Sequence, residues 1–275
     1  MKLAFSTLGC PEWSFAQVVE TAHALGYPGV ELRFLDGSLD MLKAEALSSR
    51  TREWTQQFLR ELKVEICCLD SSVKFDSPRA AARATQKQLG FEFIDRAAAM
   101  GIPLVRVFGD QVPEAADAPR VLDWVADGLR SLGNYAADKG VTVLLETHGD
   151  FIDTARVRTV MEKVDLPSVG VLWDTHHPWR LYGEAPSITV ERLGPWIKHT
   201  HWKDSVAAEG EAWRYVPFGE GEFPAAETLA ALRSIDYDGW LCLEWEKKWH
   251  PEIAEPEQVL PGFAPRMNEL LTASA

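Results

Sequence analysis

A chain of 275 residues with 46% hydrophobic and 25% charged residues has the make-up of a folded globular protein. With 19 glycines and 16 prolines scattered along it, disorder and collagen-like or low-complexity architectures are excluded. The 28 Lys+Arg against 41 Asp+Glu give a net charge of −13, a field that repels a phosphate backbone, so no nucleic-acid partner is expected. No apolar run reaches the ~20 residues of a membrane span, and Met1-Lys2-Leu3-Ala4-Phe5 enters a strand pattern without a signal-type apolar core. Four cysteines (Cys10, Cys67, Cys68, Cys242) lack metal or redox spacing and read as buried thiols of a cytoplasmic protein, adjacent Cys67 and Cys68 facing opposite sides of a strand.

Short apolar runs alternate with longer amphipathic segments along the whole chain. Strands are predicted over 2–6, 29–33, 64–69, 104–108, 141–146, 169–174, 197–201 and 241–244. Helices are predicted over 15–25, 51–62, 79–100, 118–139, 154–164 and 225–234. Gly26, Pro28, Gly101, Pro103, Gly140 and Gly239 precede strands, where a turn out of a helix wants a left-handed or helix-stopping residue. Eight nearly all-apolar strands alternating with helices describe a parallel sheet covered by helices. In this length they fit one α/β domain over 1–275, a (β/α)8 TIM barrel, and no linker divides the chain. A doubly wound dinucleotide fold is disfavoured, because Ser6-Thr7-Leu8-Gly9-Cys10 lacks G-x-G-x-x-G.

Barrels of this kind assemble their sites at the carboxyl ends of the strands. Those positions in the second half hold Glu146 with Thr147 and His148, and Asp174 with Thr175, His176 and His177. They continue with His199-Thr200-His201-Trp202-Lys203-Asp204, then Glu244, Trp245 and Glu246. Six of the seven histidines lie between residues 148 and 250. Charges brought so close repel one another and lose solvation, and a cation satisfies them. One strand-end carboxylate is as readily a helix cap as a ligand. Four such strand-end positions on consecutive strands favour a metal held by Glu146, Asp174, His201 and Glu244. Three carboxylates and one imidazole suit Mn²⁺ first, with Mg²⁺, Co²⁺ and Zn²⁺ as alternatives.

His199 is read as alternating with His201, so that one ring enters the mouth; His201, nearer the strand end, is taken as the ligand and His199 as packed. Spacing alone leaves His176 and His177 open, and His23 and His250 read as surface residues. Of 11 tryptophans, eight lie at or beyond Trp173. Trp173, Trp196 and Trp240 read as core or barrel wall, whereas Trp13, Trp179, Trp202 and Trp213, placed in loops, are candidate pocket walls for the apolar face of a sugar. Lys203 either steadies a carbonyl oxygen or pairs with Asp204 or another carboxylate. Arg33 and Arg106 are weaker candidates for substrate contact, and Lys247-Lys248 reads as a solvated patch.

These segments resemble the xylose isomerase-like superfamily of barrels. The resemblance rests on Leu145-Glu146-Thr147-His148, Trp173-Asp174-Thr175-His176-His177, His201-Trp202-Lys203-Asp204-Ser205, Gly219-Glu220-Gly221 and Tyr237-Asp238-Gly239-Trp240-Leu241-Cys242-Leu243-Glu244, and spans essentially the whole chain. It implies the same four ligands and favours His177 over His176 as a substrate contact. It also implies that Glu146 and Glu244 remove and return a proton on opposite sides of a substrate carbon. Endonuclease IV-like members carry Asp-Arg-His before the G-x-G segment; this chain has Trp213, Arg214 and Tyr215, so a trinuclear nuclease site is not expected.

The resulting expectation is a divalent-metal-dependent isomerase or epimerase of a small sugar, keto-sugar or polyol derivative. Glu146 and Glu244 are its catalytic pair, and His148, His177, Lys203, Trp13, Trp179, Arg214 and Glu246 its substrate contacts. A lyase using the same site (a dehydratase or β-eliminating enzyme) is the alternative, and a non-catalytic sugar-binding barrel stands behind both. An unphosphorylated substrate is preferred, since no glycine-rich phosphate cradle is visible. A homo-oligomer is left open, with 251–265 read as a loop over the mouth or a subunit contact.

Overall fold

The computed structural model describes residues 1–112, 117–208 and 210–273. The first half runs β1 (Lys2–Ser6), α1 (Phe15–Leu25), β2 (Gly29–Leu32), α2 (Arg52–Leu62), β3 (Glu65–Lys74), α3 (Ala80–Met100), β4 (Leu104–Phe108) and α4 (Ala118–Ala136). The second half runs β5 (Thr142–Glu146), α5 (Thr154–Val164), β6 (Val169–Asp174), α6 (His176–Tyr182), α7 (Pro186–Leu193), β7 (Ile197–Trp202), β8 (Asp204–Ala208), β9 (Glu211–Val216), α8 (Ala225–Arg233), β10 (Trp240–Leu243) and α9 (Pro256–Ala273). Eight strands close a parallel barrel in the order β1-β10-β7-β6-β5-β4-β3-β2, as expected of a TIM barrel, while β8 and β9 form an antiparallel hairpin outside it. Among the described residues no helix is long and apolar enough to cross a membrane.

Helix ends follow the local chemistry. Ser14 caps α1 by accepting from the Gln17 amide, and Gly26 and Gly101 close α1 and α3 in the left-handed conformation that glycine adopts without a Cβ penalty. Gly29 has a second reason to lack a side chain: a Cβ there would stand 2.4 Å from the Trp240 ring inside the barrel.

The barrel interior is layered, because alternate residues of a strand share a face. A lower, apolar layer holds Ala4, Cys67, Cys68, Leu104, Leu144, Leu172, Trp240 and Cys242. Two residues further along the strands, Cys68 gives way to Asp70, Leu104 to Arg106, Leu144 to Glu146, Leu172 to Asp174 and Cys242 to Glu244, all buried. An apolar floor thus supports a charged layer just below the mouth.

Several expectations are corrected. Cys67 and Cys68 both belong to the interior layer, because the β2–β3 register shifts beside Val30 and Glu31 and leaves Cys67 as an extra residue. The segment 251–265 is not one continuous loop. From Pro256 it is α9, with Pro261 and Pro265 inside it, packed on the barrel through Phe263, which stacks on Tyr27 at 6.4 Å. Lys247 is not a solvated residue: its ammonium donates to the Pro251 and Ile253 carbonyls and pins the preceding loop. Trp202 is not a pocket wall; it ends β7, fully buried against Phe218 and Phe223.

Candidate active site

Glu146 and Asp174 end β5 and β6, His201 lies on β7, and Glu244 follows β10 by one residue. One ligand atom from each of the four lies within 4.8 Å of the others. Asp174 divides its work: Oδ1 accepts from the His176 and His177 amides at 2.9 and 3.0 Å and starts α6, while Oδ2 faces the Lys203 ammonium at 2.8 Å. Lys203 also touches Glu244 at 2.5 Å and Glu246 at 2.7 Å, so it pairs with these three and not with Asp204.

The Asp204 carboxylate instead accepts from the backbone amides of Ser205, Gly219, Gly221 and Phe223 at 2.8–3.0 Å. This explains Gly219-Glu220-Gly221 as structural. A Cβ on residue 221 would lie 2.1 Å from Asp204 Oδ1, and Gly219 has φ +88°.

His199 and His201 both point into the barrel, because residues two apart on a strand share a face; the expectation that one of them turns away is corrected. Both Nε2 atoms reach Glu31, at 2.7 Å from His199 and 2.9–3.0 Å from His201. Arg106 is fully buried between Asp70 at 2.9 Å and Glu146 at 3.1 Å. Glu31 and Asp70 escaped the sequence reading. The signal was a charge inside Gly29-Val30-Glu31-Leu32 and at the end of Cys67-Cys68-Leu69-Asp70, two residues beyond an apolar lining position.

Five buried carboxylates (Glu31, Asp70, Glu146, Asp174, Glu244) therefore face three buried fixed cations, Arg106, Lys203 and Arg33. Burial alone would raise Glu146, yet Arg106 and His201 hold it down at about 2. Burial likewise opposes the Glu244 charge, but His201 and Lys203 carry it well below the usual carboxylate range. Asp70 goes the other way: burial outweighs Arg106 and pushes it up to about 7. Burial opposes a charged His201 as well, but Glu244 and Glu31 raise it well above the usual imidazole value.

The residues fit a divalent cation on two observations. Counting charges with all five carboxylates ionised, five less the three cations leave an excess of two negative charges among buried groups, which a protonated His201 or a divalent ion offsets. Second, His201 Nδ1 is buried without a hydrogen-bond partner, facing Glu244 Oε2 at 3.2 Å and Glu146 Oε1 at 3.6 Å. A nitrogen between two carboxylates demands a proton or a metal.

At the rim, His177 Nδ1 lies 3.1 Å from Asp174 and its Nε2 3.8 Å from Glu246. His148 contacts Asp110 at 3.3 Å, with its ring 5.6 Å from that of His177. His176 is withdrawn, its Nε2 2.7 Å from the Ser205 hydroxyl. Arg33 keeps one contact to Ser72 at 2.9 Å and lies over Phe108. A cleft of ≈ 740 Å³ opens beside the cluster between β9 and the loop after β10, lined by Trp213, Arg214, Tyr215, His250 and Ile253. Tyr215 joins cleft to cluster by donating to Glu246 at 3.1 Å. His250, read as a plain surface residue, is thus on the cleft wall.

Two further expected contacts, Trp13 and Trp179, are held by other side chains. Trp13 is buried and donates to Glu257 of α9, a strut between loop and helix. Trp179 sits on α6 against His176 and Phe223.

The profile of the xylose isomerase-like TIM barrel family matches residues 19–262, and the chain belongs to that family. Among curated relatives, an inosose dehydratase of Klebsiella pneumoniae subsp. pneumoniae is 31% identical over 170 residues, 54% of each chain. Another from Bacillus thuringiensis is 30% identical over 148 residues, 48% of this chain and 49% of the relative. The chain thus spans about half the length of the curated relatives it matches. Among solved structures, a probable 3-DHS dehydratase of Bacillus anthracis involved in petrobactin synthesis superposes with TM-score 0.77 at 21% identity, covering 100% of this chain and 99% of that one. A D-psicose 3-epimerase solved with D-fructose gives 0.73 at 19% identity, covering 89% and 84%. At these identities the two structures speak for the fold.

Proposed function

We propose that this protein is a divalent-metal-dependent lyase that removes water from a cyclic keto-polyol or keto-sugar, beginning with proton abstraction next to the carbonyl. The order of the two sequence expectations is thereby reversed, because the curated relatives sharing about half the chain are named dehydratases. The observation that carries the reading is the cluster of Glu146, Asp174, His201 and Glu244, with ligand atoms within 4.8 Å of one another at the barrel mouth.

A divalent ion held by these four, Mn²⁺ first, would supply stabilisation of the negative charge that develops on a substrate oxygen. Glu146 and Glu244, ionised at neutral pH, are the groups able to accept the carbon-bound proton. The electron pair released forms the new C=C bond as the β-hydroxyl departs. His148 and His177, paired at the rim, can hand that hydroxyl a proton, so the sum is loss of one water without redox change. Lys203 and Glu246 bound the site on the cleft side, where Arg214 and Trp213 face a ring-sized substrate. Four free, buried cysteines suit a cytoplasmic setting.

One feature favours the isomerase or epimerase reading as the second choice. β5 and β10 are separated in the barrel by β6 and β7, so Glu146 and Glu244 approach from different sides, as a two-base epimerisation requires.

The test incubates the Mn²⁺-loaded protein with an inosose and a ketohexose panel in D₂O and weighs the products. Loss of one water supports the lyase. Unchanged formula with one deuterium at carbon refutes it in favour of epimerisation. No reaction and no exchange, from a protein that binds no metal, refutes both.

A further inference from the structure

Glu31 presents a physical problem that the reaction scheme leaves unsolved. Its carboxylate is 0% exposed, in a layer where an isolated charge costs several kcal/mol, and it lies below the rim where substrate would bind. Its hydrogen bonds come from two imidazoles on the same face of β7. Oε2 accepts from His199 Nε2 at 2.7 Å and from His201 Nε2 at 2.9 Å, and Oε1 lies 3.0 Å from His201 Nε2.

Two imidazole nitrogens that share one carboxylate at 2.7–3.0 Å both donate to it, so both Nε2 atoms carry hydrogen. For His201 that leaves Nδ1 as the nitrogen facing Glu244 and Glu146 at 3.2 and 3.6 Å. We propose that Glu31 is a positioning residue that locks His201 in the Nε2–H form and aims Nδ1 at the metal site, with His199 as the second anchor that stops the carboxylate rotating. Glu31 is not a ligand itself. It comes within 4.8 Å of Asp70, His201 and Glu244 atoms, but both of its oxygens are held by imidazole N–H. A carboxylate behind a ligating imidazole raises the basicity of that ligand and fixes its orientation; removing such a partner typically weakens metal binding ~10–100-fold.

This inference rests on the metal-dependent reading above, and its test separates the two. In Glu31→Gln, one oxygen of the pair becomes an NH₂ donor. With the amide oxygen in the Oε2 place both imidazoles can still donate to it, but the charge is gone and the NH₂ meets the His201 Nε2 hydrogen, so the hold on that ring is weakened. Mn²⁺ affinity is measured by competition with a chelating dye on the full chain, and histidine tautomers by long-range ¹H–¹⁵N NMR of the metal-free and Zn²⁺-loaded protein. The expected result is Nε2–H at His199 and His201 in the wild type and a Kd for Mn²⁺ raised ~10–100-fold in Glu31→Gln. Glu31→Asp, which keeps the charge on a shorter stem, should recover part of that loss. Wild-type affinity in Glu31→Gln, or a His201 of the Zn²⁺-loaded wild type with hydrogen on Nδ1 and none on Nε2, overturns the role of Glu31 and leaves the metal site standing. The wild-type tautomer needs no variant and decides even where a substituted chain does not fold. A wild type that takes up no Mn²⁺ overturns the metal-dependent reading, and this proposal with it.

Discussion

Lys203→Met replaces the ammonium at the centre of the site with an apolar stem of similar length. Lys203 is 0% exposed, and its Nζ lies 2.8, 2.5 and 2.7 Å from Asp174, Glu244 and Glu246. At an effective dielectric of ~20, each contact represents roughly 6 kcal/mol of attraction, most of it offset by the desolvation of the four groups. Removing the lysine leaves three carboxylates together without their cation. Breaking a buried pair in this way costs about 3–5 kcal/mol. At ~2–4 °C per kcal/mol for a chain of this size, the Tm of the EDTA-treated protein should fall by roughly 6–20 °C.

The pH dependence follows in sign. Burial opposes the Lys203 charge, but its three carboxylates raise its pKa well above the ordinary 10.5, so its contribution is complete below that value and lost only at higher pH. Glu244 is lowered well below the ordinary 4.5, so its contribution is present above 4.5 and lost as the pH falls through the lower folded value. The gap between wild type and variant should therefore be widest near neutrality and close in acid. Mn²⁺ should narrow it as well, by supplying positive charge to Asp174 and Glu244. Thermal unfolding followed by circular dichroism, with and without Mn²⁺, reads all three effects. A variant that melts with the wild type at neutral pH would refute the view that Lys203 neutralises this cluster.

Glu244→Gln keeps shape and removes one candidate base. Lys203 retains Asp174 and Glu246, so the fold should persist while solvent exchange of the substrate C–H slows ~10²–10⁴-fold; exchange at the wild-type rate in a folded variant would rule out Glu244 as a base. Gly221→Ala drives a Cβ to 2.1 Å from Asp204 Oδ1 and should lower Tm by several degrees, whereas Gly262→Ala on α9, with nothing within 4 Å, should leave it unchanged or raise it. Equal melting shifts for the two alanines would show that the carboxylate-to-amide lock at Asp204 carries no stability.

The barrel was legible because parallel strands buried on both faces leave near-continuous apolar runs, and because glycine and proline mark the turns between them. The hairpin of β8 and β9 was not, since Asp204–Ala208 and Glu211–Val216 carry no strong alternation and interrupt the strand–helix rhythm. The helix α9 was hidden by Pro261 and Pro265, which read as breakers although packing of Val259, Leu260, Phe263 and Met267 on the barrel holds the segment helical. In the site, the strand-end carboxylates stood out because charge at the end of an apolar run is conspicuous. Glu31, Asp70 and the shared face of His199 and His201 were missed for a different reason. A barrel lining is written in steps of two residues, and reading each strand as one uniformly apolar block averages that step away.

Asp174 shows why strand-end carboxylates look ambiguous in a sequence and need not be so in a structure. Helix cap and metal ligand were weighed as alternatives, yet the two oxygens serve different partners: Oδ1 takes the first amides of α6, and Oδ2 faces the cluster. The two functions can therefore be separated by substitution. Asp174→Asn retains an acceptor for the amides, and asparagine caps helices about as well as aspartate, so stability should change by less than about 1 kcal/mol from the cap itself. Its NH₂ group, however, would meet the Lys203 ammonium and cannot bind a cation, so Mn²⁺ uptake should be lost or greatly weakened. Asp174→Ala removes both and should add the ~0.5–2 kcal/mol of a lost cap. Measuring Mn²⁺ per chain and Tm on the two variants side by side separates the contributions. If Asp174→Asn kept its metal, or if both variants lost equal stability, the division of labour between the two oxygens would be wrong.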